Sequence, residues 1–391
     1  MISVEDALTH VLGLCPPLET ESLPLRDALG RRLSQSVAAG LTQPPFDAAA
    51  MDGYAIASLP RPGDTYRLVG EAAAGRAFER SLAPGEALRI FTGAPVPQGA
   101  SHVVIQEDVT RSGTQITIGP TADQSRNIRP RGQDFAQGHR FGPKRIGPAD
   151  IGLLAAMNVA MVPVHRRPVV AFLSTGDELV ALGQLPGPDQ IIASSAMALA
   201  ALAQSQGAKV RILPIARDNL DHLKAALELS EGADLVVTLG GASVGEHDLI
   251  GRHAGDLGLT LDFWKIALRP GKPMMAGRRG QTTFLGLPGN PVSAYVCAVL
   301  FLLPMLRAFQ GDPDPIAKPK MARVTTALAT TGPRRHFMRA YHAEDSGEIT
   351  PQASQDSALT MVLALSNALL IRPEGAGPAR AGDQVPFLPL P

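Results

Sequence analysis

Two cationic side chains, Arg269 and Lys272, bracket a Pro-Gly pair in the run Arg269-Pro270-Gly271-Lys272-Pro273. A second stiff turn, Gly286-Leu287-Pro288-Gly289-Asn290-Pro291, follows after a short apolar segment. Proline fixes φ and removes a donor, while glycine admits backbone shapes closed to other residues. Both turns therefore hold their remaining N–H groups at fixed positions. Fixed amides beside Lys and Arg suit an anionic ligand. Lys265 and Arg269 are separated by an even offset, which puts them on one side of an extended segment, with Lys272 in the turn beyond it. The acids make a second pattern. Asp177 and Glu178 follow a continuous apolar run and a Thr-Gly turn, and Asp218 and Asp248 stand after two further strand-like runs. Acids at three strand ends suit metal-assisted phosphate chemistry, because Mg²⁺ takes oxygen ligands and shares them with phosphate. The plainer reading of Asp177 and Glu178 is that they sit in the first turn of a helix and complement its dipole.

Between these lies Gly240-Gly241-Ala242-Ser243-Val244-Gly245, whose backbone amides suit a phosphate. It is neither the dinucleotide fingerprint nor a Walker A loop, since no Lys-Ser or Lys-Thr follows. It does contain Gly-x-Ser-x-Gly, the nucleophile elbow of serine hydrolases. No His-Gly-Gly segment lies upstream to build an oxyanion hole, and the hydrolase reading leaves the Arg-Pro-Gly-Lys-Pro turn without a purpose. Met51-Asp52-Gly53-Tyr54-Ala55 and Phe91-Thr92-Gly93-Ala94-Pro95 read on their own as turns. The arginines of 126–131, near Gly132 and Asp134, read as a hinge or an anion contact. The His residues show no pairing that suggests a metal site.

The elements that must position these residues alternate between strand and helix. Val169–Leu173, Val210–Ile215 and Asp234–Leu239 are apolar strand-like runs, and 194–206 and 220–229 are helical. Uninterrupted apolar strands alternating with helices predict a parallel sheet covered on both faces. In such sheets ligands bind beyond the carboxyl ends of the strands, which is where the unusual turns fall. Ahead of this region, a capping pattern at Ser3 predicts a first helix, residues 25–36 read as a second, and residues 43–123 read as short strands broken by Pro and Gly. Beyond 311–315, segments 323–328, 336–343, 367–371 and 384–387 read as strands of a small barrel or sandwich. With 391 residues the chain is too long for one ordinary core. It carries 36 basic and 36 acidic residues, which speaks against a general nucleic-acid or membrane-surface binder. The longest apolar run, 294–303, is bounded by Pro291 and Pro304 and is too short to span a bilayer. Cys15 and Cys297 lie far apart with no metal spacing. With no leader pattern at the N-terminus, a cytoplasmic protein is expected.

Taken in order, the segments at 51–55, 92–97, 174–179, 240–245, 269–273 and 286–291 resemble those of the molybdopterin molybdenumtransferases, the family that includes the C-terminal domain of gephyrin. The resemblance runs nearly the whole length. It implies a multidomain α/β protein with four parts. These are a discontinuous N-terminal domain (1–42 and 124–165), an inserted β-rich domain (43–123), a three-layer α/β molybdopterin-binding domain with a mostly parallel sheet (166–312), and a C-terminal β-barrel (316–391). It further implies a cytoplasmic homodimer with its site at or near the subunit interface. The implied reaction takes molybdate and adenylylated molybdopterin, inserts molybdenum at the dithiolene sulfurs, and releases AMP with Mg²⁺ present. Molybdopterin adenylyltransferase and molybdoenzyme-maturation proteins are the implied partners; nucleic acid and membrane are not.

Carried over position by position, Glu178, Asp218 and Asp248 are the implied metal ligands. Lys265 and Arg269 would hold molybdate or the terminal phosphate of the pterin. Ser243, with Gly240, Gly241 and Gly245, would contact phosphate, helped by Ser174, Thr175 and Lys272, with Pro288 and Asn290 shaping the opposite turn. Asp52, Thr92, Asp134, Arg339 and Ser357 match further site positions. The chain departs from the family pattern at Ala242, at Ala193-Ser194-Ser195, at 48–50, at Arg269 where Lys is frequent, and before Ser357, where a Gly is usual. Two other functions remain open at this stage: the related adenylyltransferase, which resembles only the α/β domain, and a non-catalytic paralogue acting as cofactor carrier or scaffold.

Overall fold

The computed structural model describes residues 1–241 and 249–391. It divides into two compact units, Met1–Glu21 with His165–Pro391, and Ser22–Val164.

The first unit is organised by a six-stranded sheet in the order Lys209–Ile212, Val169–Ser174, Leu235–Leu239, Thr282–Leu287, Met275–Arg279, Leu259–Trp264. The first four strands are parallel and the last two run antiparallel to their neighbours, as a mostly parallel sheet requires. Side chains alternate between its faces. Val170 and Phe172 pack with Leu199, Leu202 and Ala203 of the helix Ser194–Ser205, whereas Ala171 and Leu173 pack with Leu223, Ala226 and Leu227 of the helix Leu220–Glu228. Burying Phe172 alone stabilises by roughly 2 kcal/mol, more than a surface ion pair contributes, so this apolar alternation sets the register. The amino-terminal edge of the sheet is fastened by a bidentate pair, Arg166 to Asp234 at 2.7 Å in both bonds, and Asp234 also accepts from the Val169 amide at 2.8 Å. The helix Val4–Gly13 joins this core through Val4, Ala7 and Val11, and Ser3 Oγ caps it by accepting from the Asp6 amide at 3.0 Å, as its sequence predicts.

One expectation is corrected here. Pro304 does not end the apolar segment that follows Pro291. A wide π-helical turn, Ala298–Leu302, precedes it, and the helix runs on through Leu303–Phe309. The extra backbone in that turn takes up a ring that lacks an N–H. The resulting helix, Pro291–Phe309, is long and apolar enough to cross a membrane, but it is largely buried inside the core cluster of the α/β domain.

The barrel closes because Arg335–Ala343 pairs on one side with Glu348–Pro351 and on the other with Ala368–Arg372. Lys320–Val324 and Gln384–Pro389 complete the ring. Val324, Ala340, Ile349, Leu370 and Phe387 fill its interior, while the alternate residues Phe337, Leu369, Ile371 and Leu388 join the core of the α/β domain. A two-residue strand, Leu268–Arg269, pairs in parallel with Arg335 and His336. The Arg-Pro-Gly-Lys-Pro turn is thereby stitched to the barrel.

The second unit contains a six-stranded sheet in the order His102–Ile105, Gly53–Ile56, Glu86–Ile90, Thr65–Ala72, Gln115–Ile118, Val109–Ser112. The segment expected to be a turn at 51–55 thus becomes a central strand from Gly53 onward. Gly53 permits it: a Cβ there would collide with the Val104 backbone of the neighbouring strand. The helix expected over 25–36 is absent apart from one turn of 3₁₀ at Leu25–Asp27. Gly30 adopts φ +74°, and Arg32 and Leu33 then make bridges to Arg145 and Val164 instead. Around them Ala28, Leu33, Ile146, Leu154 and Val162 form a small core with the helix Pro148–Ala156.

Candidate active site at the strand ends

Beyond the carboxyl ends of the parallel strands the backbone pairing continues for a residue or two. The Thr175 amide donates to Leu239 O at 3.0 Å, Gly176 to Ala216 O at 3.1 Å, and Gly240 to Leu287 O at 3.2 Å. These bonds draw three turns side by side and open a cavity of about 610 Å³ between them. The structure brings Ser174, Thr175, Glu178, Asp218, Gly240, Gly241, Pro288 and Asn290 to its wall, eight of the positions singled out in the sequence.

Gly240 is required by this packing. Its φ is +98°, and a Cβ would lie 2.6 Å from Thr175 O and 2.8 Å from Thr175 Oγ1. The Thr175 side chain is buried at the cavity wall, and among the described residues its hydroxyl has no hydrogen-bond partner. Glu178 folds its carboxylate back over Gly176, where a Cβ would come within 2.8 Å of Oε1. No helix begins at Asp177 or Glu178; the next starts at Ser194, so the first-turn reading of these acids does not apply. Asp177 points elsewhere: its Oδ1 accepts from the Asp218 amide at 3.2 Å, and its carbonyl accepts from Arg217 at 2.6 Å. It braces the turn that carries Asp218 against the turn that carries Glu178.

Sequence reasoning noted Ser194 and Ser195 only as departures, yet both line the cavity. They open the helix Ser194–Ser205, which lacks a side-chain cap, so first-turn amides and the positive end of its dipole serve the same space. The signal was present in the sequence as a Ser pair before an Ala-rich run. Thr360, from the barrel segment, also reaches the wall and carried no such signal.

The cationic turn is arranged differently from the expectation. Lys265 has φ +86°, an uncommon conformation for a residue with a Cβ, costing about 1–3 kcal/mol, so the segment is not extended and the even-offset argument fails. Its ammonium lies 5.2 Å from the centre of the Trp264 ring. Gly271, at φ +110°, packs so closely on Cys297 and Leu268 that no side chain fits. Pro273 lines the strand-end cavity, whereas Arg269 lines a second cavity at the end of the barrel. Lys272 is exposed, and its carbonyl accepts from the Ile266 amide at 3.0 Å. Ser357 sits beside the strand-end cavity, where its Oγ accepts from Asn290 Nδ2 at 3.1 Å. Arg339 is 1% exposed, and its guanidinium donates to the carbonyls of Ser354 (3.2 Å) and Leu359 (3.4 Å), holding the segment that carries Ser357.

Asp52, Thr92 and Asp134 belong to the second unit. There Asp52 Oδ1 accepts from both the amide (2.7 Å) and the hydroxyl (2.8 Å) of Thr92, which hold its carboxyl below the usual carboxylate range. Asp134 lines a cavity of about 550 Å³ together with Arg129 and Gly93. Ser243, Gly245 and Asp248 lie outside the described residues. Among the described residues no group of three metal-ligating side chains is gathered. Burial pushes the thiol pKa of both Cys15 and Cys297 well up, and neither is bonded to the other.

Fold and cavity together define an α/β ligand-binding protein whose site is built from glycine turns and carboxylates at the carboxyl ends of parallel strands, with a closed barrel packed alongside. Three family models match in succession: the MoeA N-terminal region (domain I and II) over residues 2–158, a probable molybdopterin binding domain over 171–308, and the MoeA C-terminal region (domain IV) over 321–390. Molybdopterin molybdenumtransferase 2 of Mycobacterium tuberculosis is 34% identical across 97% of this chain and 96% of its own. The molybdopterin molybdenumtransferase of Haemophilus influenzae is 33% identical across 100% and 99%. A solved molybdopterin biosynthesis MoeA protein from Pyrococcus horikoshii superposes with a TM-score of 0.85 at 28% identity, covering 99% of this chain and 98% of that one. The chain belongs to the molybdopterin molybdenumtransferase family.

Proposed function

We propose that this chain completes molybdenum cofactor biosynthesis by inserting molybdenum from molybdate into adenylylated molybdopterin, with release of AMP. The observation that carries the reading is the strand-end cavity, where two carboxylates, a buried hydroxyl unpartnered among the described residues and positive-φ glycine turns share one wall. This mixture suits a pyrophosphate-bearing ligand with its cation. Thr175 Oγ1, the Gly240 turn and the first-turn amides of Ser194–Ser205 would bind phosphate oxygens. Glu178 and Asp218 fit Mg²⁺, which takes one or two carboxylates and completes its shell with phosphate oxygens and water. Held by Glu178 and Asp218, Mg²⁺ would neutralise charge on the pyrophosphate. Lys265 and Arg269, the residues to which the resemblance assigns molybdate, stand outside the lining of this cavity, which the cationic turn reaches through Pro273, and Asp177 keeps the two acid-bearing turns together. No protein nucleophile is required, because the sulfurs of the substrate take the metal.

A molybdopterin adenylyltransferase reading is disfavoured, since the relatives match through the N-terminal and barrel regions as well as the α/β domain. The chain is proposed to act in the cytoplasm as a homodimer, which light scattering would test, and to receive its substrate from the adenylyltransferase and serve molybdoenzyme maturation. The deciding experiment is AMP release from adenylylated molybdopterin by the purified protein with Mg²⁺, with and without molybdate. Molybdate-dependent release is expected. Tight binding with no release would replace the enzyme reading with that of a carrier.

A further inference from the structure

The barrel ends in a cavity of about 260 Å³ formed by the loop 328–334 and by the ends of the strands Arg335–Ala343 and Ala368–Arg372. Arg269, Arg334, Arg372 and His336 line it, and among the described residues no Asp or Glu does. Arg372 is only 7% exposed. It is held by carbonyls, donating to Ala329 O at 3.3 Å and to Gly377 O, while its Nε has no partner among the described residues. No carboxylate pairs with Arg269, Arg334 or Arg372 among the described residues. A buried guanidinium held only by neutral acceptors keeps its charge uncompensated, an expensive arrangement unless an anion supplies the balance.

The wall is rigid. Thr331 Oγ1 donates to Pro373 O at 2.6 Å and accepts from the Ala376 amide at 2.7 Å, and Leu328 and Ala379 exchange backbone bonds at 2.8 and 2.9 Å. The local field is positive enough to register on His336. Burial first, then Arg269, Arg334 and Arg339, hold its pKa down to about 4. The cavity is smaller than the roughly 300–1,000 Å³ typical of drug-sized ligands, and less than half the strand-end cavity.

We propose that the barrel mouth is a binding site for a small free tetrahedral oxyanion of the phosphate or sulfate class, held by Arg334 and Arg372 with Arg269 at its edge. Arginine's planar fork suits such an ion, and an acid-free cavity leaves it no internal competitor. The inference goes beyond the transferase reading and does not depend on it, since Arg334, His336 and Arg372 have no part in that reading.

The test is calorimetric titration of the full chain with inorganic phosphate, sulfate, molybdate and AMP, alongside NMR titration of His336 with and without the anion. The wild type is expected to bind phosphate or sulfate, whereas binding of molybdate alone is accounted for by the transferase reading and overturns this inference. Arg334→Gln should weaken that binding by about tenfold, the size of one lost charge-assisted hydrogen bond, and Arg334→Lys should recover part of it. Bound anion should raise the His336 pKa from about 4. The inference is overturned by absence of inorganic oxyanion binding, by binding indifferent to Arg334→Gln, by a His336 titration that the anion leaves in place, or by preference for AMP over all three ions. Loss of AMP release with oxyanion binding intact would sink the transferase reading alone. The converse would sink this inference alone.

Discussion

The two cavities of the first unit are built on opposite electrostatic plans. The strand-end cavity mixes carboxylates, backbone amides and hydroxyls, and its shape is set by glycines that tolerate no Cβ. The barrel mouth is lined by three arginines and a histidine with no acid among them. A site of mixed sign needs a cation to bring an anionic ligand against its carboxylates. A site of one sign takes an anion directly. The Arg-Pro-Gly-Lys-Pro turn touches both, with Arg269 in the mouth and Pro273 in the strand-end wall.

The sharpest way to break this contrast is to remove an acid. Asp218→Asn is expected to lower Mg²⁺-dependent AMP release by on the order of 100-fold, while oxyanion binding at the barrel mouth stays as it was. If calorimetry showed both falling together, the two cavities would not be separate sites. Gly271→Ala should strike both at once. Its new methyl would meet Cys297 and Leu268 at a φ of +110°, so a loss of about 2–4 kcal/mol is expected in denaturant unfolding. Unchanged stability would mean that the turn is not a rigid joint. Asp177→Ala touches neither ligand directly. It removes the acceptor of the Asp218 amide, while the main-chain acceptor for Arg217 stays. AMP release should fall by about tenfold, with a higher Mg²⁺ requirement. A wild-type Mg²⁺ curve would remove Asp177 from its positioning role.

How well each cavity could be read in the sequence follows the same division. Turns of Gly and Pro at the ends of apolar strands leave a local signature, so Thr175, Glu178, Asp218 and Gly240 were legible together with the parallel sheet and the barrel. The barrel mouth was not, because Arg334, His336 and Arg372 become neighbours only when the ring closes through the pairing of His336 with Arg372. The sequence suggests an extended segment at Lys265 because a positive φ at a lysine leaves no local mark. Leu25–Ser36 had helical spacing but gave way to tertiary pairing of Arg32 and Leu33. Gly53 opened a central strand where Asp-Gly suggests a turn, because close approach to Val104 demanded a residue without a Cβ.

The smallest effect expected is also the most specific to the mouth. His336 titrates near 6.5 in the unfolded chain and at about 4 in the folded one. Below pH 6.5 the unfolded state therefore binds a proton that the folded state refuses, so stability present above pH 6.5 declines as pH falls toward 4 and levels off beneath it. Carboxylates elsewhere titrate in part of the same window, so the informative quantity is the difference between wild type and His336→Gln in thermal melts at pH 7, 5.5 and 4.5. The variant should lose less stability on acidification. Adding the inorganic oxyanion that binds most tightly should shrink the wild-type loss, because a bound negative charge offsets Arg269 and Arg334 and lets His336 accept its proton in the folded state. Identical pH profiles for the two proteins would show that neither burial nor the arginines around it hold His336 down, and the acid-free mouth would lose its electrostatic distinction from the strand ends.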